Sequence, residues 1–490
     1  MSSIKWLILV GVIASVATLA FTMENVLKSN EKNSDNSLPQ SYNENQNNNP
    51  YIKEYSLPAG TWPNGILVDK NGIVWIAGSK TDSLFRFDTN QGKISSYPIR
   101  DENSQNYTSS NSFMVWTMLQ DSDGFIWFSQ LGTNSIWKFD PNTDKFTAFH
   151  LIRSAPFQMK SDKDGNIWFT TLTSNTVGII QKTQNKTEPY MISEFKIGND
   201  TQPAGLFLEN NYLWITEIAT QKIVKYHIIS DGGIVTNIEK TLEVPTDEKI
   251  SLGSPTDLFV LNDTIWLTEH GTSFITEYQI DSKSLTRFPT SQNAYHVTTL
   301  PFWIREVNGG KEMWVNEHEG NKIAFFDTVN KTLTEYEIPS RPADGYLVYA
   351  LNIVADPFDG NKLWFSEWNT DKFGVITNTI PSPLDIHSKI NKIVFSDSSK
   401  QQTLDIEISK NGLVKNNFVF LNASSSIQSN AGLGNLDVKF SNNVIDVTRM
   451  HTVQILLQNN SVLPGNYTLG ISASDGMMTK TIFLDLQILR

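Results

Sequence analysis

A tryptophan returns along this chain behind the same short preamble: Trp75, Trp127, Trp168, Trp214, Trp266, Trp314 and Trp364. The surrounding text reads DKNGIVWIAG, DSDGFIWFSQ, DKDGNIWFTT, ENNYLWITEI, LNDTIWLTEH, GGKEMWVNEH and DGNKLWFSEW. Each copy runs into a second strand, such as DSLFRFD or NKIAFFD, and in most copies a third, such as KISSYPI or LTEYEIP. An apolar strand precedes each Trp strand, and an Asp/Asn-Gly turn closes a hairpin between them. Four short strands per unit of roughly 40–50 residues are the signature of a β-propeller blade. Seven Trp strands predict seven blades in an all-β fold. A large aromatic in every copy suits a repeated sheet-to-sheet contact, so the Trp is expected between neighbouring blades.

The ring's closure is also legible. Residues 51–57, YIKEYSL, read as the outer strand of a blade, yet they precede the first blade's inner strand. The seventh blade lacks an obvious outer strand of its own after Ile376. Residues 51–57 are therefore expected to complete blade seven and remove a sheet edge. The propeller spans 51–380. After Pro381-Ser382-Pro383 the Trp pattern ends, and alternating strands such as LDIEIS, NFVFLN, VQILLQ and TIFLDLQIL predict a β-sandwich over 383–490, antiparallel and of immunoglobulin-like size. With only His387 and His451 and no clustered acids, that module suggests spacing or packing rather than chemistry.

The first 50 residues say where the chain goes. Lys5 precedes an apolar run, 6–21, with Ala17 and Ala20 near its end. Residues 1–27 read equally as a secretory signal peptide or as an uncleaved membrane anchor, and both place the rest outside the cytoplasm. Residues 28–50 are rich in Asn and Ser and read as a flexible linker. Sequons at Asn106, Asn185, Asn199, Asn262, Asn330, Asn422, Asn459 and Asn466 fit an exported protein. A net charge of −12 argues against a nucleic-acid partner and against charge-driven binding to anionic lipid. The chain has no Cys, which excludes disulfides, thiolate zinc sites and a Cys nucleophile.

Topology points to one candidate face. The start of each inner strand and the end of each Trp strand share a face near the ring axis. There the Trp strands of blades four to seven end in Glu217, Glu269, Glu317 and Glu367. His270 and His318 follow two of them, and Trp368 follows the last. Glu269, Glu317 and Glu367 could hold Mg²⁺ or Ca²⁺ through oxygen ligands. Glu269, Glu317, His270 and His318 could serve as acid and base. The alternative is that a Glu copied with the repeat satisfies backbone donors. At the inner-strand starts Trp116, Phe157, Phe302 and Trp303 make the mouth aromatic, suited to stacking on a ligand alongside Glu217 and Trp368. Ordinary packing between blades would use the same residues.

The Pro-X-Gly-Ile start, the Asp-Gly turn, and copies such as LWITE (213–217), IWLTEH (265–270) and MWVNEHEGNKI (313–323) resemble the streptogramin B (virginiamycin B) lyases. The resemblance covers about 51–380 and implies a seven-bladed propeller that opens a cyclic depsipeptide by Mg²⁺-assisted elimination. It implies a His base at the X of Pro-X-Gly-Ile and a Glu near Glu367. In this chain X is Asn64, Trp116, Phe157, Ala204, Thr256, Phe302 and Leu351, with no His among them. The reading favoured by the sequence is an exported propeller that binds a small-molecule or envelope ligand on its axial face. A lyase, a lactonase-type hydrolase and an envelope scaffold are the alternatives.

Overall fold

A computed structural model describes residues 49–100, 114–151, 155–185, 187–247, 250–292, 298–342, 347–396, 399–410, 417–427, 434–449 and 451–489. The apolar run 6–21, the linker to residue 48 and the sequon at Asn106 lie outside them. Seven four-stranded antiparallel blades form the propeller. Blade one consists of Pro63–Val68, Ile73–Gly78, Ser83–Asp88 and Lys93–Pro98, and the other blades repeat this order. The inner strand of blade one meets those of blades two and seven, so the ring is closed. Blade seven is Ile353–Asp356, Asp359–Glu367 and Lys372–Thr377, completed by Ile52–Ser56 at the chain's start. The expected closing strand is thus in place, with Ile52 opposite Ile376 and Ser56 opposite Lys372.

The preamble of the repeat has a physical job. In the first three blades an Asp ends the inner strand, and its Oδ1 accepts backbone N–H groups of the turn: Ile73 at 3.0 Å from Asp69, Phe125 at 2.9 Å from Asp121, Asn166 at 2.9 Å from Asp162. Its Oδ2 accepts the indole N–H of the repeat's Trp: 2.9 Å for Trp75, 2.8 Å for Trp127 and 3.1 Å for Trp168. Gly72, Gly124 and Gly165 take φ of 78°, 90° and 76° in these turns, a region that a side chain disfavours. Glu209 and Asp356 accept the indoles of Trp214 and Trp364, and in blade six the carbonyl of Gly360 in the next blade accepts that of Trp314. The fixed indole packs on its neighbour as expected: Trp75 meets Phe139 of blade two at 5.6 Å, and Trp266 meets Phe326 of blade six at 5.4 Å.

Beyond Pro383 two sheets face each other around one core that includes Phe395, Ile406, Val453 and Leu484. One sheet joins Leu384–Ser388, Gln401–Lys410, Thr452–Asn460 and Asn435–Phe440. The pairing departs from a wholly antiparallel expectation, because Lys392–Phe395 runs parallel to the end of Met478–Ile488. The same Met478–Ile488 pairs antiparallel with Thr332–Glu337, the outer strand of blade six. The second sheet of the sandwich therefore continues blade six, forming one nine-stranded sheet. Phe483 seals the joint against Phe288 at 5.2 Å and Phe326 at 6.1 Å.

Replacing Asp121 by Ala leaves a fully buried indole N–H and a turn without its acceptor. A loss of about 1–3 kcal/mol is expected, measured by urea unfolding, with Asp123→Ala, on the exposed part of the same turn, close to neutral.

Candidate functional site

The inner strands bulge where they reach the axis. Pro63 pairs with Gly78, but Ile66 pairs with Ile76, and blades three to six show the same shift after their Pro. A bulge re-aims side chains. Just before it, Trp62, Ala155, Gln202, Ser254 and Leu300 take φ of 49° to 73°, although each precedes a Pro. Tyr349 of blade seven takes 49°. Left-handed backbone is strained for such residues, and strain of this kind gathers at functional surfaces.

The X residues fill the axis rather than line an open mouth. Trp116, Phe157 and Phe302 are 4%, 3% and 5% exposed and Trp303 is 0%. They form one cluster: Trp116 to Phe157 at 5.1 Å, Phe157 to Trp303 at 5.3 Å, and Trp116 to Phe302 across the ring at 5.8 Å. Trp303 also donates its indole N–H to the carbonyl of Leu351 at 2.9 Å. The expectation of an open stacking platform is corrected to a packed aromatic plug. The next position explains it. Gly65 and Gly205 leave no room for a Cβ, which at Gly205 would lie 2.6 Å from the carbonyl oxygen of Thr256. Blades three, five, six and seven carry Gln158, Asp257, Trp303 and Asn352 there instead. Gln158 donates to Asp257 Oδ1 at 2.8 Å, and Arg305 donates to Asp257 Oδ2 at 3.1 Å. This buried polar layer ties blades three, five and six across the axis. Its only signal in the sequence was the loss of Gly.

The four glutamates turn into their own blades. Glu217 accepts hydrogen bonds from Thr220 at 2.7 Å and Tyr226 at 3.2 Å, and burial raises its pKa. Glu269 is 0% exposed and forms a two-pronged pair with Arg287, Nε to Oε1 at 2.7 Å and Nη2 to Oε2 at 3.0 Å. Glu317 lies 4.0 Å from Lys322, which also reaches Glu335 at 3.4 Å. Burial, then Glu335, push the Glu317 carboxyl well above the usual range. Glu367 accepts a bond from Thr370 at 2.7 Å, and burial, then Glu54, push it up to about 8. Register gives the pattern. Glu335 faces Ala324, Glu54 faces Gly374, and Arg287 faces Thr276, all at one position of the outer strand. Blades six and seven supply their cation from the third strand as Lys322 and Lys372. Blade five has Phe274 there and supplies it from the outer strand as Arg287.

The expected metal set of Glu269, Glu317 and Glu367 is therefore not brought together. Among the described residues no three of His, Asp and Glu gather as a metal site. Glu269 is taken by Arg287, and Glu317 and Glu367, though they keep buried oxygens without a hydrogen-bond partner, face Lys322 and Lys372 in their own blades, so the three do not fit one shared Mg²⁺ of the kind the resemblance implies.

The two histidines are brought together. The rings of His270 and His318 stack at 5.4 Å with planes 9° apart. Phe302 lies 4.6 Å from His270 and Tyr349 5.5 Å from His318. Burial holds His270 down at about 4, so its ring is neutral near pH 7. Its Nδ1 has no partner among the described residues. At the rim Trp62 packs edge-on against Trp368 at 5.3 Å, with the Lys80 ammonium 3.8 Å from the Trp62 ring centre. The sequence had placed His270, His318 and Trp368 here, but it missed Trp62 and Tyr349.

Residues 115–382 match the model of the virginiamycin B lyase family. No curated protein matches the chain. Among solved structures, the selenomethionine form of virginiamycin B lyase from Staphylococcus aureus is 26% identical with a TM-score of 0.51, over 66% of this chain and 98% of that one. A catalytically inactive variant of the same lyase, crystallised with quinupristin, is 25% identical with a TM-score of 0.52 over the same shares.

Arg287→Met strands the Glu269 carboxylate in a dry site and is expected to cost about 3–5 kcal/mol, while adding Glu269→Gln recovers most of it in thermal and urea unfolding. Glu367 keeps its proton in the folded state up to about 8 but loses it near 4.5 when unfolded, so its stabilisation fades as pH rises through that window. His270 acts in the opposite sense between about 4 and 6.5 and is silent above. The parent's melting temperature should therefore fall from pH 6.5 to 8, and that of Glu367→Gln should fall less.

Proposed function

The chain belongs to the virginiamycin B lyase family, and from that premise we propose that it binds a small ligand on the axial face without the family's metal-assisted elimination. The observation that carries this reading is the state of the carboxylates. Glu269 is committed to Arg287, and Glu317 and Glu367 to the Lys322–Glu335 and Glu54–Thr370 groups. Glu317 and Glu367 keep buried oxygens without a hydrogen-bond partner, but the three carboxylates sit in separate blades and do not converge on one cation among the described residues.

What the face offers instead is a shallow aromatic dish. His270, Tyr349 and Trp62 are partly exposed, over a floor of Phe302 and His318. The neutral ring of His270 provides a flat surface without the desolvation cost of a charge. Such a surface suits a ligand with an aromatic ring and amide or ester groups, the chemical class of a cyclic depsipeptide. Export belongs to the same reading and is supported by the apolar run 6–21, as a cleaved signal or as a membrane anchor.

The test uses quinupristin. Titrated against the protein, it should change the fluorescence of Trp62 and Trp368, and His270→Ala should weaken binding about tenfold. Chromatography should show the ring intact with and without Mg²⁺. Mg²⁺-dependent ring opening would overturn the non-lyase reading, and no binding at all would remove this ligand class from the axial face.

A further inference from the structure

A second site lies away from the axis, where the sandwich continues blade six. A cavity of about 260 Å³ opens there between the start of the blade's third strand and the outward face of the continuing sheet. Asn321, Lys322 and Glu337 come from the propeller side, and Asn422, Thr479 and Phe420 from the sandwich side. The strand Phe418–Ser425 alternates, so Phe418, Phe420 and Asn422 share one side. Phe420 is 54% exposed and Phe418 55%, beside Val444 at 45%. Phe420 lines the cavity with its ring bare to solvent, and Val444, its partner on the neighbouring strand, and Phe418 extend the exposed apolar patch, which packing does not explain.

The charges of the wall decide what would fit. Lys322 is 2% exposed and is already held by the Ser291 carbonyl at 2.9 Å and by Glu335 at 3.4 Å. Glu337 lies 3.7 Å from Arg341. An anion entering the cavity would meet the carboxylate of Glu337, and a cation would meet the ammonium of Lys322. Asn422 uses its Oδ1 to accept from Ala423 at 2.8 Å, and its amide N–H groups have no partner among the described residues. The Thr479 hydroxyl has none there either. The cavity therefore combines neutral donors and acceptors with an exposed ring at its entrance.

We propose that this cavity binds a neutral saccharide, with one pyranose lying its C–H face on Phe420 and its hydroxyls meeting Asn422 and Thr479. A pyranose presents both surfaces at once: one apolar face, and a rim of groups that donate and accept. The site is independent of the axial dish.

The experiment takes the full chain from a host that attaches no glycan, so that Asn422 keeps its bare amide. Maltotriose, cellotriose and chitotriose are titrated calorimetrically at millimolar concentrations. One of them is expected to bind with one-to-one stoichiometry. Phe420→Ala and Asn422→Ala should each weaken that binding at least about tenfold, Phe420→Trp should retain it, and His270→Ala should leave it unchanged. Phe420 is exposed, so its variants should match the parent in urea unfolding, which separates lost binding from lost fold. Failure of all three sugars to bind the parent, or unchanged binding in both Phe420→Ala and Asn422→Ala, would overturn the proposal.

Discussion

The bond from a carboxylate to an indole N–H at the hairpins of blades one to four and seven is the interaction on which the ring most depends. It joins three needs at one residue. The Asp fixes the turn through its backbone acceptors, sets the Trp rotamer, and satisfies a donor that would otherwise be buried alone. With the indole held, the next blade has a rigid surface to pack against, and seven repeats of that contact set the rotation that closes a circle. Two of the blades that lack the Asp keep the bond by other means. Glu209 serves in blade four, and in blade six a carbonyl of blade seven accepts the proton. The chemistry of the clamp is held more strictly than the residue that provides it.

The buried acids follow the same logic at the other end of the Trp strand. In blades five to seven the carboxylate at the base of the blade is matched by a cation, and the register leaves two strands able to deliver one. Blades six and seven draw it from the third strand along with a second acid, so each holds two carboxylates against one ammonium, and the buried Glu317 and Glu367 carboxyls are pushed up. Blade five draws it from the outer strand and reaches neutrality with a single Arg. Lys322 shows the balance clearly: burial opposes its charge, and Glu335 with Glu317 outweighs that opposition. These groups are stability elements of the propeller, and they occupy the positions from which a metal site would otherwise be built.

Much of the architecture was legible because it rests on period and turn chemistry. The Trp strands, the Asp-Gly turns and the misplaced strand at 51–57 are local signals, and they led to seven blades and a closed ring. The direction of the glutamate side chains was not legible. It depends on partners such as Arg287, eighteen positions beyond Glu269, and Glu54, which belongs to the far end of the chain. The aromatic residues at the axis could be named, but not their burial, since Trp116 is covered by Phe302 from across the ring. The stacking of His270 on His318 needed the placement of two successive blades. Spacing within one repeat carries no information about that separation.

Blades six and seven are also where both ends of the described chain are sewn in. Ile52–Ser56 finishes blade seven and Met478–Ile488 extends blade six, and Tyr51 rests on Tyr336 at 5.2 Å. A ribosome makes the first of these strands long before the second. The early strand must wait, unpaired, for Lys372–Thr377, and Lys372 lies 318 positions beyond the Glu54 it binds. Contacts of such long range are slow to form. Until both strands are seated, blades six and seven present raw strand edges, the surfaces on which an incompletely folded chain is open to whatever inspects newly made protein.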